Sequence, residues 1–435
     1  MVLIYSHTSS PRLQYITNFI FKTLLGTDYR ITIDSEEFIN APGVKINYNN
    51  DPLDKAGFHI VSHTLLFENG IKEQNTRCVP GKDYPVFYTT EGGDLRFDIF
   101  AASFYLLSRY EEYLPHHKDI YGRYAHGQSL AFKSGFLNVP LINTWVNGLA
   151  SHLKESFPGF EIHPPVFKFL PTYDIDIAYS FRHKGLLRNM GGFLKSPSAT
   201  RLKVLTGLKA DPYDCYEWLN SIHHMYRLEP VYFFLVADKN GRYDKNILPH
   251  KTAMWKLVKQ HARQYRIGIH PSWQTGDLTK LLASEKEQLE AMGEIKITSS
   301  RQHYIRFNLP AGYRRLADLG ITDDYSMGYG SINGFRASVA NAFYWYDLER
   351  EIQTDLLIHP FCFMEANSFY EQEFTTAPAY DELVHYFKVC KKANGTLITI
   401  WHNNFLGTSP EFAGWKEIYE RFIGSICADV GSQAV

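Results

Sequence analysis

Cysteine is scarce in this chain. Cys78, Cys215, Cys362, Cys390 and Cys427 are odd in number, scattered, and without C-x-x-C spacing. That argues against a disulfide framework or a structural zinc knuckle and for a reducing compartment. Charge of one sign is also lacking, since 45 basic residues face 46 acidic ones, the net charge is −1, and no long run of like charge occurs. Neither nucleic acid nor an anionic membrane surface is expected as the main partner. Long hydrophobic runs are missing too. The apolar patches at Phe19–Leu25 and Phe100–Leu107 are too short to span a bilayer, and Met1–His7 has no basic segment leading into an apolar one. The expectation is a cytoplasmic protein without a membrane span. No G-x-S-x-G elbow or Cys-led motif is present, which weighs against serine and cysteine hydrolases. Solenoid-period repeats and low-complexity segments are absent.

Aromatic residues, by contrast, are abundant at 15% of the chain, with 29 Tyr and 30 Phe. Flat aromatic faces suit sugar rings, although an aromatic-rich core is the plainer explanation. A length of 435 residues predicts two domains. Pro158, Pro164 and Pro165 mark a linker, so we expect a smaller α/β domain over 1–155 and a second domain over 165–430. In the first, the pattern predicts strands at Val2–Tyr5, Tyr29–Ile33, Val44–Tyr48 and Gly57–Val61, and a helix over Pro11–Leu25. A helix from about Phe97 to Leu114 has a buried face of Phe97, Phe100, Ala101, Phe104 and Leu107, with Arg109, Glu111 and Glu112 as a solvated tail. In the second, strands at Val166–Tyr173, Val231–Val236, Arg266–His270, Ile295–Ser299, Asp355–Ile358 and Thr396–Trp401 alternate with helical patterns. Such alternation predicts a mainly parallel sheet, and six or more strands make a closed or nearly closed (β/α) barrel the expected form.

Four of these strands end in polar clusters. The first ends in Asp174-Ile175-Asp176, whose two carboxylates, two residues apart, face one side of an extended chain. Like charges so close call for a cation between them or a raised pKa, and a metal site with a general base uses such a pair. His270-Pro271-Ser272, Arg301-Gln302-His303-Tyr304 and Ile400-Trp401-His402 close three others. A single strand-end His or an Asp pair is most often structural. Four clusters, each with Asp or His, seldom line up by accident. The Gly-rich, aromatic stretch Gly328–Arg336 lacks a phosphate-loop Lys and reads as a flexible substrate loop, with an inert turn as the alternative, while His359 is a reserve ligand or substrate contact.

In this order and spacing the motifs resemble those of the polysaccharide deacetylases (the NodB-homology fold, carbohydrate esterase family 4). Thr172-Tyr173-Asp174, His270-Pro271-Ser272, Arg301–Tyr304, Asp324-Tyr325-Ser326 and Ile400-Trp401-His402 carry the resemblance over about Val166–Gly407. It implies a distorted (β/α) barrel, a divalent metal with zinc foremost, and removal of an acyl group from a carbohydrate or glycoconjugate. The resemblance implies Asp174 as general base, Arg301 as the residue orienting it, and His402 as the acid for the leaving group. Asp176 and His270 are the implied metal ligands. Two departures stand out: Ile175 occupies the place of the family's second adjacent Asp, and Gln274 that of its second metal His. His303 is the substitute third ligand; otherwise the site binds metal weakly or not at all. Tyr304, Asp324, Tyr329 and Trp401 are the expected substrate contacts. The segment before the barrel resembles a module found ahead of some deacetylase-like domains, and the resemblance supplies no role for it. A metal-dependent carbohydrate N- or O-deacetylase is thus the first reading. A non-catalytic carbohydrate-binding or pathway-assembly protein that keeps the barrel without the metal is the other.

Overall fold

The computed structural model describes residues 1–53, 57–81, 84–185, 189, 190, 194 and 198–430. Two sheets organise it. The smaller contains β1 (Val2–Tyr5), β2 (Tyr29–Thr32), β3 (Val44–Tyr48) and β4 (Phe58–Ile60), all parallel, in the order β2-β1-β3-β4. The larger contains β5 (Lys168–Ile175), β6 (Val231–Phe234), β7 (Arg266–Ile269), β8 (Ser299–Ser300), β9 (Asp323–Asp324), β10 (Phe343–Asp347), β11 (Ile352–Ile358), β12 (Phe363–Met364) and β13 (Thr396–His402). Its order is β10-β11-β9-β8-β7-β6-β5-β13-β12, parallel throughout except for the β10–β11 pair.

Mainly parallel pairing is thus present, but the expected barrel does not close. Among the described residues β10 and β12 are edge strands, each paired on one side only. Closure needs an unbroken ladder of tilted strands around the ring. Here the ladder is interrupted between β10 and β12, and β12 is only two residues long.

Helices follow from amphipathic spacing. Tyr216–Tyr226 buries Leu219, Ile222 and His223, and Thr252–Gln264 buries Met254, Leu257, Val258 and His261. The expected helix over Pro11–Leu25 is α-helical only to Asn18 and continues with wider turns over Phe19–Leu24. The helix expected over Phe97–Leu114 is Ile99–Leu107, capped by the Asp98 carboxylate, which accepts from the Phe100 and Ala101 amides at 2.9 Å. It stops because Arg109 takes a left-handed backbone, φ 55°.

Its charged end is not a solvated tail. Arg109 and Glu112 are buried at 1% and 3% exposure. Glu112 Oε1 accepts from Arg109 Nε at 2.7 Å and Arg336 Nε at 2.8 Å, and its Oε2 accepts from Arg336 Nη2 at 2.6 Å. Four buried charges, Arg109, Glu111, Glu112 and Arg336, satisfy one another here, the last from 224 residues beyond Glu112. The apolar core is continuous between the two sheets, joining Val2, Phe100 and Trp145 with Tyr346, Phe363 and Trp401. No helix of the described residues is long and apolar enough to cross a membrane.

Candidate functional site

Register builds the site. β13 runs parallel to β5 with His402 opposite Asp174, so two polar strand ends lie side by side. β5 pairs next with β6, β6 with β7, and β7 with β8, which brings Ile269 level with Ser300. His270 and Arg301, each one residue further, therefore emerge at the same edge as Asp174. Strand alternation sends Tyr173 and Trp401 the other way, into a layer with Tyr419 and Trp415.

Around this edge lies a cavity of about 510 Å³. Asp174, Asp176, His270, His303, Tyr304 and His402 line it, together with Tyr121, Arg123 and Tyr370. Asp176, at the mouth of β5, is the hub. Its Oδ1 is 3.1 Å from His270 Nε2, and its Oδ2 is 3.2 Å from His303 Nε2 and 3.5 Å from His402 Nε2. Each imidazole is fixed from behind. His270 Nδ1 donates to the Arg301 carbonyl at 2.6 Å, His303 Nδ1 bonds Asp244 Oδ1 at 2.9 Å, and His402 Nδ1 bonds Glu365 Oε1 at 2.7 Å. Such outer bonds set the tautomer and leave each Nε2 facing the carboxylate.

Would a metal fit? The ligating atoms of Asp176, His270 and His303 lie within 4.8 Å of one another. Asp176 Oδ1 is buried and makes no well-formed hydrogen bond, although His270 Nε2 stands 3.1 Å away. A buried carboxylate ringed by imidazole nitrogens that can give up their protons is a donor set for a divalent cation. The residues therefore fit the group. His402 stands outside that set, its Nε2 3.5 Å from Asp176 Oδ2 and its ring held by the buried Glu365.

Electrostatics follow the same division. Burial works against the ionised form of Asp176, but His303, His402 and His270 outweigh it and hold the carboxyl well below its usual range. Burial opposes protonation of His303, yet Asp176 and Asp244 raise it to about 9. His402 is likewise desolvated, and Glu365 with Asp176 lifts it to about 10. A ligating imidazole must be neutral. Metal uptake at pH 7 is therefore expected to release about one proton from His303. Below about pH 9 the affinity should fall roughly tenfold per pH unit. Calorimetric titration with zinc in two buffers of different ionisation enthalpy measures the proton count directly.

Asp174 sits behind Asp176, buried, with Arg301 Nη1 on its Oδ1 at 2.9 Å and His270 Nε2 3.8 Å from its Oδ2. Arg301 is itself buried at 0% exposure, 4.4 Å over the Phe233 ring, and bonds the Tyr325 carbonyl at 3.0 Å. The pair is charge-assisted and rigid. The structure thus brings Asp174, Asp176, His270, Arg301, His303, Tyr304 and His402 into one place.

Three expected substrate contacts are elsewhere. Asp324 is buried and bonds the Ser300 and Ser326 hydroxyls at 2.7 and 2.9 Å. Tyr329 is buried beside Arg109, its hydroxyl 3.3 Å from Nη2, while Gly330 next to it lines the cavity. Trp401 lies on the far face of β13. Gln274, at the departure from the family pattern, does not line the cavity and donates to Asp244 Oδ2 at 3.1 Å. His359, the reserve ligand, pairs with Asp323 at 2.7 Å, away from the cavity.

The sequence reading missed Asp244, Glu365, Tyr121, Arg123 and Tyr370. For Glu365 the signal was a lone charge within the apolar run Phe361–Ala366. One local feature remains. Tyr304 and Ile305, directly after His303, are both left-handed, at φ 59° and 55°. For a β-branched residue this costs on the order of 1–3 kcal/mol, so the surroundings must hold the turn in place.

Residues 2–158 match a family described as "Family of unknown function (DUF7033)". No curated protein matches the chain. Among solved structures it is similar to a protein of Mycobacterium smegmatis assigned to the polysaccharide deacetylases, with 13% identity, 61% of this chain and 85% of that one covered, and a TM-score of 0.40. It is also similar to Puue allantoinase, at 12% identity, 62% and 85% coverage and a TM-score of 0.39. A third is a mutant of a CE4-family pseudoenzyme with restored enzymatic activity, at 9% identity, 62% and 65% coverage and a TM-score of 0.33. The chemistry assigned below rests on motifs and side-chain geometry, not on these likenesses.

Proposed function

We propose that this protein is a metal-dependent hydrolase that removes an acyl group, N- or O-acetyl, from a carbohydrate. The observation that carries the reading is the convergence of Asp176, His270 and His303 on one point. A divalent cation, zinc foremost, would be held by those three side chains and would supply electrostatic activation of a water and of an acyl carbonyl.

The remaining steps belong to the chain. Asp174, paired with Arg301, accepts a proton from the attacking water. Arg301 fixes the orientation of that carboxylate, and breaking the pair would leave a buried cation unpaired. His402, protonated against Glu365, donates to the leaving amine or alcohol from across the cavity. Tyr304, Tyr121 and Tyr370 line the opening and offer faces on which sugar rings stack.

The test is acetate release from acetylated sugars, N-acetylglucosamine oligomers and O-acetylated xylan fragments among them, by zinc-loaded protein. Stripping the metal with a chelator is expected to abolish release, and readdition of zinc to restore it. A protein that takes up no metal, binds these sugars and releases nothing supports the second reading, a carbohydrate-binding protein. Gln274 and Ile175, at the departures from the family pattern, favour that reading.

A further inference from the structure

Two side chains of the cavity wall come from the first third of the chain, far from every strand that carries the polar cluster. A short hairpin closes around Asp119, with Lys118 bridged to Tyr124. Asp119 accepts from the Tyr121 and Arg123 amides at 2.9 and 3.0 Å, and its Oδ2 takes Arg123 Nε at 2.6 Å. The guanidinium, thus aimed, is buried. Its Nη1 donates to two carbonyls, Tyr304 at 2.9 Å and Gly330 at 3.0 Å. Tyr121 lies under the same guanidinium at 4.6 Å and stacks on the Tyr304 ring, centroids 5.2 Å apart and 26° between planes.

Tyr304 is the first of the two consecutive left-handed residues that follow His303. The His303 ring is held by Asp244, but that bond fixes the ring and not the backbone from which it projects. The backbone on the far side of His303 is gripped by Arg123 through the Tyr304 carbonyl. Gly330 fits this arrangement: a methyl there would stand 2.1 Å from Arg123 Nη1 and 2.9 Å from the Tyr304 oxygen. The space is kept for the guanidinium.

We propose that Arg123 is a positioning residue for His303, so that the N-terminal segment completes the metal centre by clamping the left-handed turn that carries the third ligand. This rests on the reading of Asp176, His270 and His303 as metal ligands. Arg123 itself touches no ligating atom and acts through the Tyr304 backbone.

A double-mutant cycle on the full chain, read by zinc affinity and by the visible spectrum of the cobalt form, tests it. Arg123→Ala is expected to weaken zinc binding roughly 10–100-fold, as loss of other outer-shell partners does, and to alter the cobalt spectrum. Arg123→Lys should recover part of the loss. Tyr304→Gly removes the strain at the first of the two left-handed residues, since glycine adopts that region freely. In that background Arg123→Ala should cost no more than about threefold, which is the non-additivity of two residues acting on one turn. Should Arg123→Ala not fold, Gly330→Ala displaces the guanidinium while leaving its bond to Asp119, and the same loss is expected. Equal losses in both backgrounds, or none in either, overturn the clamp while leaving the metal site standing. A wild-type protein that takes up neither zinc nor cobalt overturns the metal reading and the clamp together.

Discussion

A His270→Ala variant is expected to purify without metal and to release no acetate, where the wild type carries close to one equivalent of zinc. His270 presents Nε2 to Asp176 from a ring fixed by the Arg301 carbonyl, and it is 1% exposed. No other imidazole can move in to replace it. His303 is already turned to the same carboxylate, and His402 is tied to Glu365. The loss of affinity should exceed the roughly 10–100-fold that an outer-shell partner contributes. Elemental analysis without added chelator measures it. Asp174→Asn is the companion variant with the opposite signature: metal kept, turnover reduced by about 10²–10⁴, the usual range for a lost general base. An Asp174→Asn protein that lost its zinc would assign Asp174 to the ligand set and leave the base unassigned.

Glu112→Ala should destabilise the folded protein by about 3–5 kcal/mol, because it leaves Arg336 buried without a counter-ion and Arg109 with Glu111 alone. Glu112→Gln keeps the shape and loses the charge, and the cost should be smaller. A second consequence is acid sensitivity. Burial opposes the ionised form of Glu112, yet Arg336 and Arg109 bring it from an ordinary 4.5 down to about 2. A depressed acid stabilises the fold above its unfolded value, so this contribution is whole above about pH 4.5 and is lost as pH falls through about 2. Urea unfolding of both variants between pH 2 and 7 shows whether the wild-type advantage shrinks in that window. An unchanged difference across the range would mean the pair contributes nothing through its charge.

Much of the site could be read before the fold was known, because its residues sit at strand ends where a period of two meets a turn. Asp174 and Asp176 share a face by that period, and His270 before Pro271 marks the end of a buried strand. The same rule places Trp401 opposite His402, so its indole belongs to the core layer and not to the cavity. Closure is an expectation from the number of strands, and that number does not record that β10 and β12 stay unpaired at the two edges. Asp244 and Glu365 were hidden for a different reason: they bind imidazoles 59 and 37 residues away, and no local pattern records such pairing. The Arg109–Glu112 tail looked solvated because its partner, Arg336, is 224 residues on. Charge at a helix end is ordinary in water and costly when buried, and only the packed structure distinguishes the two.

β13 is the last strand to be made, yet it lies inside the sheet, between β5 and β12. On the ribosome, β5 therefore waits as an edge strand through the synthesis of more than two hundred residues, with Asp174 and Asp176 beside an unpaired backbone. Only when Thr396–His402 emerges and inserts do His402 and its neighbours reach the cavity. A cell that begins to degrade or chaperone this protein early does so while its exposed strand edge, the feature most prone to pair with another chain, is still open.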